Sequence, residues 1–364
     1  MRRHPYSNLD ATARWRTAVA AVGELDPMTE APFQIGPKDA VVTAGSCFAQ
    51  HIGRHLQEFG SNYLITEPAH PMVGEAAAKR LGYGIYSARY GNIYTPRQLV
   101  QLFDRAYGRF VPIETVWREA DGSVVDPFRP RIQPGGFNGV AELEHDRARH
   151  FRAVREAFER LDVFVFTLGL TESWHSREDG AVFPLCPGVA GGVFDGERHA
   201  LINFDVDQIV GDCRAFLECL RSVNRSARVV FTVSPVPLVA TAEPRHVLVS
   251  TIYSKSVLRV ACDVLAREPG VAYFPSYEIV ASGHAGDYYA VDRRSVTREG
   301  VDHVMRVFER HFLKKSFARQ VLEKARSIVG GAASRDADVE ADAVRRAFDV
   351  MCDEEALELI AKDC

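Results

Sequence analysis

The stretch Ala40-Val41-Val42-Thr43-Ala44-Gly45-Ser46-Cys47-Phe48-Ala49 decides the fold. Its first half is apolar and β-branched, the composition of a strand buried on both faces. Gly45 and Ser46 then form a small-residue turn, and a helical pattern follows with apolar residues at Phe48, Ile52, Leu56 and Phe59. A strand that ends in such a turn before a helix is how an α/β fold presents a nucleophile. Cys47 falls at or near the first turn of that helix. Unpaired backbone N–H groups and the positive end of the helix dipole favour a thiolate there. On this reading its sulfur is at least partly reachable from a cleft and alkylates more readily than the other cysteines. The same pattern also describes a buried cysteine in a tight strand–helix junction.

Outward from this stretch, strand-like and helical patterns alternate. Apolar runs stand at 39–44, 62–65, 161–168, 228–233 and 271–274, with helical patterns near 47–59, 97–107, 148–160, 205–222, 250–267 and 298–312. Near-continuous apolar strands separated by helices predict a parallel sheet covered on both faces. Residues 109–145 and 173–203 are long for connections and rich in Gly, Pro and Asp. They follow elements expected to end on the Cys47 side, so they should wall a pocket there. The pattern gives a main domain over 1–330, with its core at about 30–312. A C-terminal appendage over 331–364 begins within the run Gly330-Gly331-Ala332-Ala333-Ser334, then reads as charged helix over 338–361 and as a partner surface rather than a catalytic part.

The 364 residues carry 44 basic and 48 acidic side chains, a net charge of −4, which gives no electrostatic footprint for nucleic acid or an anionic membrane. Hydrophobic residues make up 46%, enough for a real core, but no run reaches the ~18 apolar residues of a membrane span. The N-terminus lacks an apolar segment of signal-peptide length. Seven scattered cysteines contain no CxxC pair, so neither a disulfide framework nor a zinc site is indicated, and the cytoplasm is the expected compartment. No nucleotide fingerprint or metal cluster is visible, so no tightly bound cofactor is expected.

Ligands of such sheets bind beyond the carboxyl ends of the strands. The segments there are Gly45-Ser46-Cys47, then Gly91-Asn92-Ile93-Tyr94-Thr95, then Gly169-Leu170-Thr171-Glu172-Ser173-Trp174. The last two are Ser234-Pro235-Val236-Pro237 with Thr241 and His246, and Pro275-Ser276-Tyr277-Glu278 with Asp287 and Asp292. Five polar, Gly- and Pro-rich segments at one sheet edge make a candidate active site.

The pentad Gly45-Ser46-Cys47-Phe48-Ala49 is the signature of the GSCFA-domain family, and over roughly 30–312 the chain resembles that family, a relative of the SGNH (GDSL-type) hydrolases. Supporting pieces are Gly91–Thr95, Phe166–Glu172, Ser234–Pro237, Tyr253–Ser256 and Tyr273–Glu278. The resemblance implies a flavodoxin-like three-layer sandwich with a parallel five-stranded sheet in the order 2-1-3-4-5. It implies a nucleophile after the first strand and an oxyanion hole made by that residue's own N–H, a Gly and an Asn. A late Asp-x-x-His would supply orienter and base. Carried onto this sequence, Cys47 takes the nucleophile position, with Ser46 as the rival of a serine hydrolase. Gly91, with Asn92 beside it, fits the second block. Thr171 stands where the Asn is expected, and its hydroxyl can donate one hydrogen bond. Asp292 begins the last block, but Ser295 occupies the histidine position.

A thiol depends less on a strong base than a hydroxyl does, yet a leaving group still needs a proton. His246, just past the fourth strand, is the histidine best placed to supply it. His303 lies opposite the stripe Val301, Val304, Met305, Phe308 and Phe312, and reads as solvated. His175 and His284 rank lower. Glu172, Trp174 and Tyr94 could line an acyl or sugar pocket, Lys255 could hold an anion or the thiolate, and Arg129 could anchor a carboxylate or phosphate. Each also has an ordinary structural reading as wall, core or surface.

The expectation is an acyltransferase or acyl-ester hydrolase using Cys47. It would act on a small molecule or glycan, by analogy a carbohydrate or polysaccharide precursor, with acyl-CoA as a candidate co-substrate. A non-catalytic ligand- or glycan-binding module descended from a hydrolase is the alternative.

Overall fold

A computed structural model describes residues 4–19, 25–284, 286–314 and 352–357. The chain passes through α1 (Trp15–Ala18), β1 (Val41–Gly45), α2 (Phe48–Glu58), α3 (Glu75–Arg80) and α4 (Pro96–Ala106). Then come the short strands β2 (Trp117–Arg118) and β3 (Val124–Val125), α5 (Val140–Arg160) and β4 (Val163–Leu168). An inserted trio follows, β5 (Glu172–Ser176), β6 (Val182–Phe183) and β7 (His199–Asn203). The remainder is α6 (Val206–Val223), β8 (Arg228–Val233), α7 (Val247–Leu265), β9 (Val271–Phe274), α8 (Ser276–Ala281) and α9 (Arg298–Phe312).

The central sheet is parallel, in the order β1-β4-β8-β9, with Val41 opposite Val163, Val163 opposite Arg228 and Val229 opposite Val271. Period-two alternation builds a layer on each face. Phe164, Phe166, Val229 and Phe231 pack with Phe103, Phe158, Phe216 and Leu258 of α4 to α7. Val163, Val165, Val230 and Phe274 pack on the other side with Phe48, Ile52 and Leu56 of α2 and Val304, Phe308 and Phe312 of α9. This is the α/β sandwich that the unbroken apolar strands predict.

The expected fifth strand is the main departure among the described residues. At 62–65 the chain makes a single parallel bridge, Tyr63 to Val41, on the free edge of β1. The Val41 N–H donates to Asn62 O and the Leu64 N–H to Val41 O (both 2.9 Å). By Thr66 the backbone has turned to pair with Ser87 instead. The five-stranded order 2-1-3-4-5 is therefore not realised as five strands. No helix among the described residues is long and apolar enough to cross a membrane.

The two long insertions fold. Residues 109–145 carry the β2–β3 pair, and β5, β6 and β7 form an antiparallel sheet in the order β6-β5-β7. Arg129 belongs to the first insertion's anchor rather than to a ligand site. It is buried and paired with Asp126 (3.0 Å) and Asp146 (2.8 Å). Most of the tail expected as helix lies outside the described residues. Its described piece, 352–357, contains the 3-10 turn Asp353–Glu355 and packs at the carboxyl edge of the sheet, not on an outer face.

Candidate active site

Three strand-end loops are laced together around Cys47. Gly45 has φ +138°, and a Cβ there would lie 2.3 Å from Thr167 O, so only glycine lets β1 approach β4 this closely. The Ser46 N–H donates to Thr167 O (3.0 Å), the Ile93 N–H to Gly45 O (2.8 Å) and the Gly169 N–H to Tyr94 O (2.9 Å). A Cβ on Gly169 would meet Ser46 Cβ at 2.9 Å. The 92–95 loop is fixed by the start of α4. Thr95 and Gln98 form a reciprocal capping box with Pro96 in the first turn, and Gln98 Oε1 also accepts from the Tyr94 N–H (2.8 Å).

That loop aims the amide of Asn92. Its Oδ1 accepts from Gln50 Nε2 (3.1 Å) and from the Tyr86 hydroxyl (2.5 Å), so its orientation is set from behind. Its Nδ2 donates to a carboxylate oxygen, Oδ2 of Asp353, at 3.0 Å. The Asp353 N–H in turn donates to the Tyr94 hydroxyl (3.2 Å). A buried donor pre-set in this way is the device that stabilises developing negative charge on oxygen.

Cys47 is the N-cap residue of α2 and is 3% exposed. What covers it is Cys352, whose thiol shares a side-chain hydrogen bond with Cys47. Arg294 Nη2 donates to Cys352 Sγ (3.2 Å) and to Glu354 Oε2 (3.2 Å), and Arg131 Nη1 donates to Cys352 O (2.9 Å). The proton of the thiol pair is consequently asymmetric. The hydrogen bond from Cys47, with Arg294 beside it, lowers Cys352 to about 6, while the same hydrogen bond and burial push Cys47 well up. With the segment docked, the proton is favoured on Cys47 and the negative charge on Cys352.

Lys255 of α7 completes the cluster. It is 1% exposed and its Nζ donates to Gly169 O (2.7 Å). Burial brings it down to about 7, against the opposing influence of Glu354 and Cys47. Burial also raises Glu354 to about 8 and shifts Asp353 upward. A lysine near neutrality beside a cysteine sulfur can take and return a proton at physiological pH.

The sequence-based candidates are distributed unevenly over this site. Cys47, Asn92 and Lys255 meet there. Gly91 provides the φ +70° turn that leads into Asn92. Ser46 is buried beside Cys47, but its hydroxyl has no hydrogen-bond partner among the described residues, so no base activates it. Thr171 spends its hydroxyl on Asn203 Oδ1 (2.7 Å) and its N–H on Ser254 Oγ (3.0 Å). Glu172 accepts from the Thr241 hydroxyl (2.6 Å) and Trp174 packs edge-on against Phe194. Both line a cavity of about 310 Å³ together with Tyr94, Leu238, Glu354 and Leu357. The second insertion thus walls a pocket that shares Tyr94 and Glu354 with the Cys47 cluster.

Several expectations are corrected. The Cys47 sulfur is covered rather than reachable. His246 is exposed and caps α7, its Nδ1 accepting from the Leu248 N–H (3.1 Å), and no hydrogen bond joins it to Cys47. Asp292 is exposed and closes its own loop, accepting from the Ser295 hydroxyl (2.5 Å) and the Arg294 and Ser295 N–H groups. The Asp292–Ser295 block therefore delivers Arg294, not an imidazole. His303 is buried, bonded to the Tyr288 hydroxyl (2.8 Å), because α9 is covered on a second side by the loop before it. Sequence reasoning passed over Cys352, Asp353, Glu354 and Arg294. Arg294 sat inside a motif read only for histidine, and the other three lie in a charged tail with no local signal. Among the described residues no group of three or more His, Cys, Asp or Glu side chains could hold a metal ion.

Residues 40–308 match the GSCFA family. No curated protein matches the chain. Among solved structures, a mutant acetyl esterase with an acetate ion aligns at 12% identity, covering 78% of this chain and 99% of that one, with a TM-score of 0.32. A carbohydrate esterase family 3 protein from Talaromyces cellulolyticus aligns at 14% identity over 78% of this chain and 99% of that one, with a TM-score of 0.28.

Proposed function

The chain belongs to the GSCFA family, and from the geometry around its signature cysteine we propose an esterase-like hydrolase of the SGNH kind that transfers acyl groups through Cys47. One observation carries the reading. Asn92 Nδ2, held from behind by Gln50 and Tyr86, grips a carboxylate oxygen next to Cys47, where the carbonyl oxygen of an ester would sit.

Substrate enters when residues 352–357 vacate the site. Cys47 then loses Cys352, the acceptor that holds its proton, while Lys255 and Arg294 remain to favour the thiolate. The Cys47 sulfur attacks the ester carbonyl, and the oxygen takes up negative charge against Asn92 Nδ2 and the N–H groups opening α2. Collapse breaks the ester C–O bond, the alkoxide leaves with a proton from Lys255, and an acyl-thioester stays on Cys47. Water, or an acceptor hydroxyl deprotonated by Lys255, then attacks the thioester and releases the thiol. Lys255 thereby takes the role that the SGNH hydrolases give to histidine. The 310 Å³ cavity, with Trp174 and Tyr94 on its wall and Glu172 at its polar side, suits a small carbohydrate ester.

The test is hydrolysis of p-nitrophenyl acetate and of acetylated sugars by the full chain, by Cys47→Ala and by Ser46→Ala. Loss with Cys47→Ala and retention with Ser46→Ala is expected. The reverse pattern makes it a serine hydrolase. Saturable sugar binding that survives Cys47→Ala, with no turnover by any variant, makes it a binding module.

A further inference from the structure

The described part of the tail brings a second cysteine onto the signature cysteine, and nothing in the acyl reaction uses it. Cys352 is buried against Cys47, with its sulfur 3.2 Å from Arg294 Nη2 and its carbonyl on Arg131. Both thiols are free. They lie far apart along the chain, yet their thiols are hydrogen-bonded to one another in the docked segment, which brings the two sulfurs within reach of one another. We propose that Cys47 and Cys352 form a thiol–disulfide exchange pair, and that oxidation of this pair by a low-molecular-weight disulfide pins residues 352–357 over the active site.

The chemistry follows from the asymmetry of the pair. When the segment lifts by local opening, Cys352 is exposed to solvent. Its thiolate attacks one sulfur of a disulfide RSSR, forming a mixed disulfide and releasing RS⁻, which takes a proton from water. On redocking, Cys47 gives its proton to Lys255 and attacks the Cys352 sulfur, expelling the second RS⁻, which is protonated in turn. Two protein thiols lose two electrons and two protons, and RSSR becomes two RSH. The order of attack is set by access. Lifting carries Cys352 into solvent, where its thiolate fraction meets the disulfide, while Cys47 stays in the strand–helix junction and attacks only on redocking. The product joins the nucleophile to the segment that already fills its oxyanion position, so the oxidised chain is closed to esters and to alkylating agents alike.

The bond itself does not depend on the acyl reaction, but its consequence for turnover rests on the reading above. The full chain is incubated with glutathione disulfide, quenched with acid, digested without reductant and analysed by mass spectrometry. The expected product is a peptide pair linking Cys47 to Cys352, reversed by dithiothreitol and absent from Cys352→Ser. Iodoacetamide labelling of Cys47 should fall at least tenfold on oxidation. Separate glutathione adducts on the two cysteines, a cross-link from either to a different cysteine, or no reaction would each overturn the pair. Cys186→Ser, which touches neither partner, should form the bond normally, and failure there would count against it as well. If the bond forms while no ester is turned over in either redox state, the exchange pair stands and the hydrolase reading falls. If esters are cleaved at the same rate before and after quantitative linkage, the closure is refuted.

Discussion

Ending the chain at residue 351 should expose Cys47, and the size of the effect can be worked from the docked segment. Residues 352–355 are held by contacts from Asn92, Arg131 and Arg294, the last to both Cys352 and Glu354, and by the bond from the Asp353 N–H to the Tyr94 hydroxyl. The four that involve a charged group contribute about 1.5 kcal/mol each at the lower end, and the fifth about 1 kcal/mol. Ordering four residues costs about 1 kcal/mol each. The balance, about 3 kcal/mol, leaves the segment lifted roughly 1% of the time, since each 1.4 kcal/mol is a factor of ten. Part of that balance is offset by burying Asp353 and Glu354, whose carboxyls are both pushed up by burial. The truncated chain should therefore alkylate at Cys47 between about 10- and 100-fold faster than the full chain. The assay is timed iodoacetamide labelling read at the Cys47 peptide, with the Cys186 peptide as internal reference. In the full chain the rate should climb only at alkaline pH, because the Cys352 hydrogen bond and burial hold the Cys47 thiol up. Truncation removes the first of these causes, so the profile should move to lower pH. An unchanged rate and profile would refute the claim that this segment is what covers Cys47.

Asn92→Ala should lower kcat for ester hydrolysis by about 10²–10³-fold with a small change in KM, the signature of a lost oxyanion donor; a KM effect alone would contradict that role. Lys255→Met should lower turnover by roughly 10²–10⁴-fold. Its thermal midpoint should rise, because burial holds Lys255 near 7, below an ordinary lysine: the cost of its buried charge is present in full below pH about 7 and fades as pH rises towards the ordinary lysine value. Melting curves across pH check the sign, and a lower midpoint at pH 6 would contradict it. His246→Ala should leave turnover within about threefold and cost at most ~1 kcal/mol of stability as a lost helix cap; a loss of two decades in rate would restore His246 as the base.

Much of the scaffold was legible because it is local. The apolar runs 161–168, 228–233 and 271–274 correspond to β4, β8 and β9, and the stripe of 298–312 to α9. The failures are those of long-range chemistry. Residues 62–65 read as a strand, but only one residue pairs at the edge of β1 before Thr66 turns to Ser87. The helical stripe put His303 in solvent, since periodicity describes one packed face and α9 has a second neighbour at Tyr288. Histidine is the proton carrier a sequence signals most readily, because imidazole titrates near neutrality unaided. Lys255 reaches that range only through burial under Gly169, which no spacing announces. Cys352 sits in a tail whose charged composition speaks for solvent, and only the assembled loops show that Asn92, Tyr94 and Arg294 receive it.

Acyl transfer through Cys47 requires a covalent bond between an acyl group and its sulfur. The direct measurement is rapid acid quenching of the reduced chain ending at residue 351 during turnover of p-nitrophenyl acetate, followed by peptide mass spectrometry. One acetyl group is expected on the peptide holding Ser46 and Cys47, released by neutral hydroxylamine as a thioester is, and absent from Cys47→Ala. An acetyl group that resists hydroxylamine and persists in Cys47→Ala, or brisk turnover with no acylated peptide at any time, would contradict acyl transfer through Cys47.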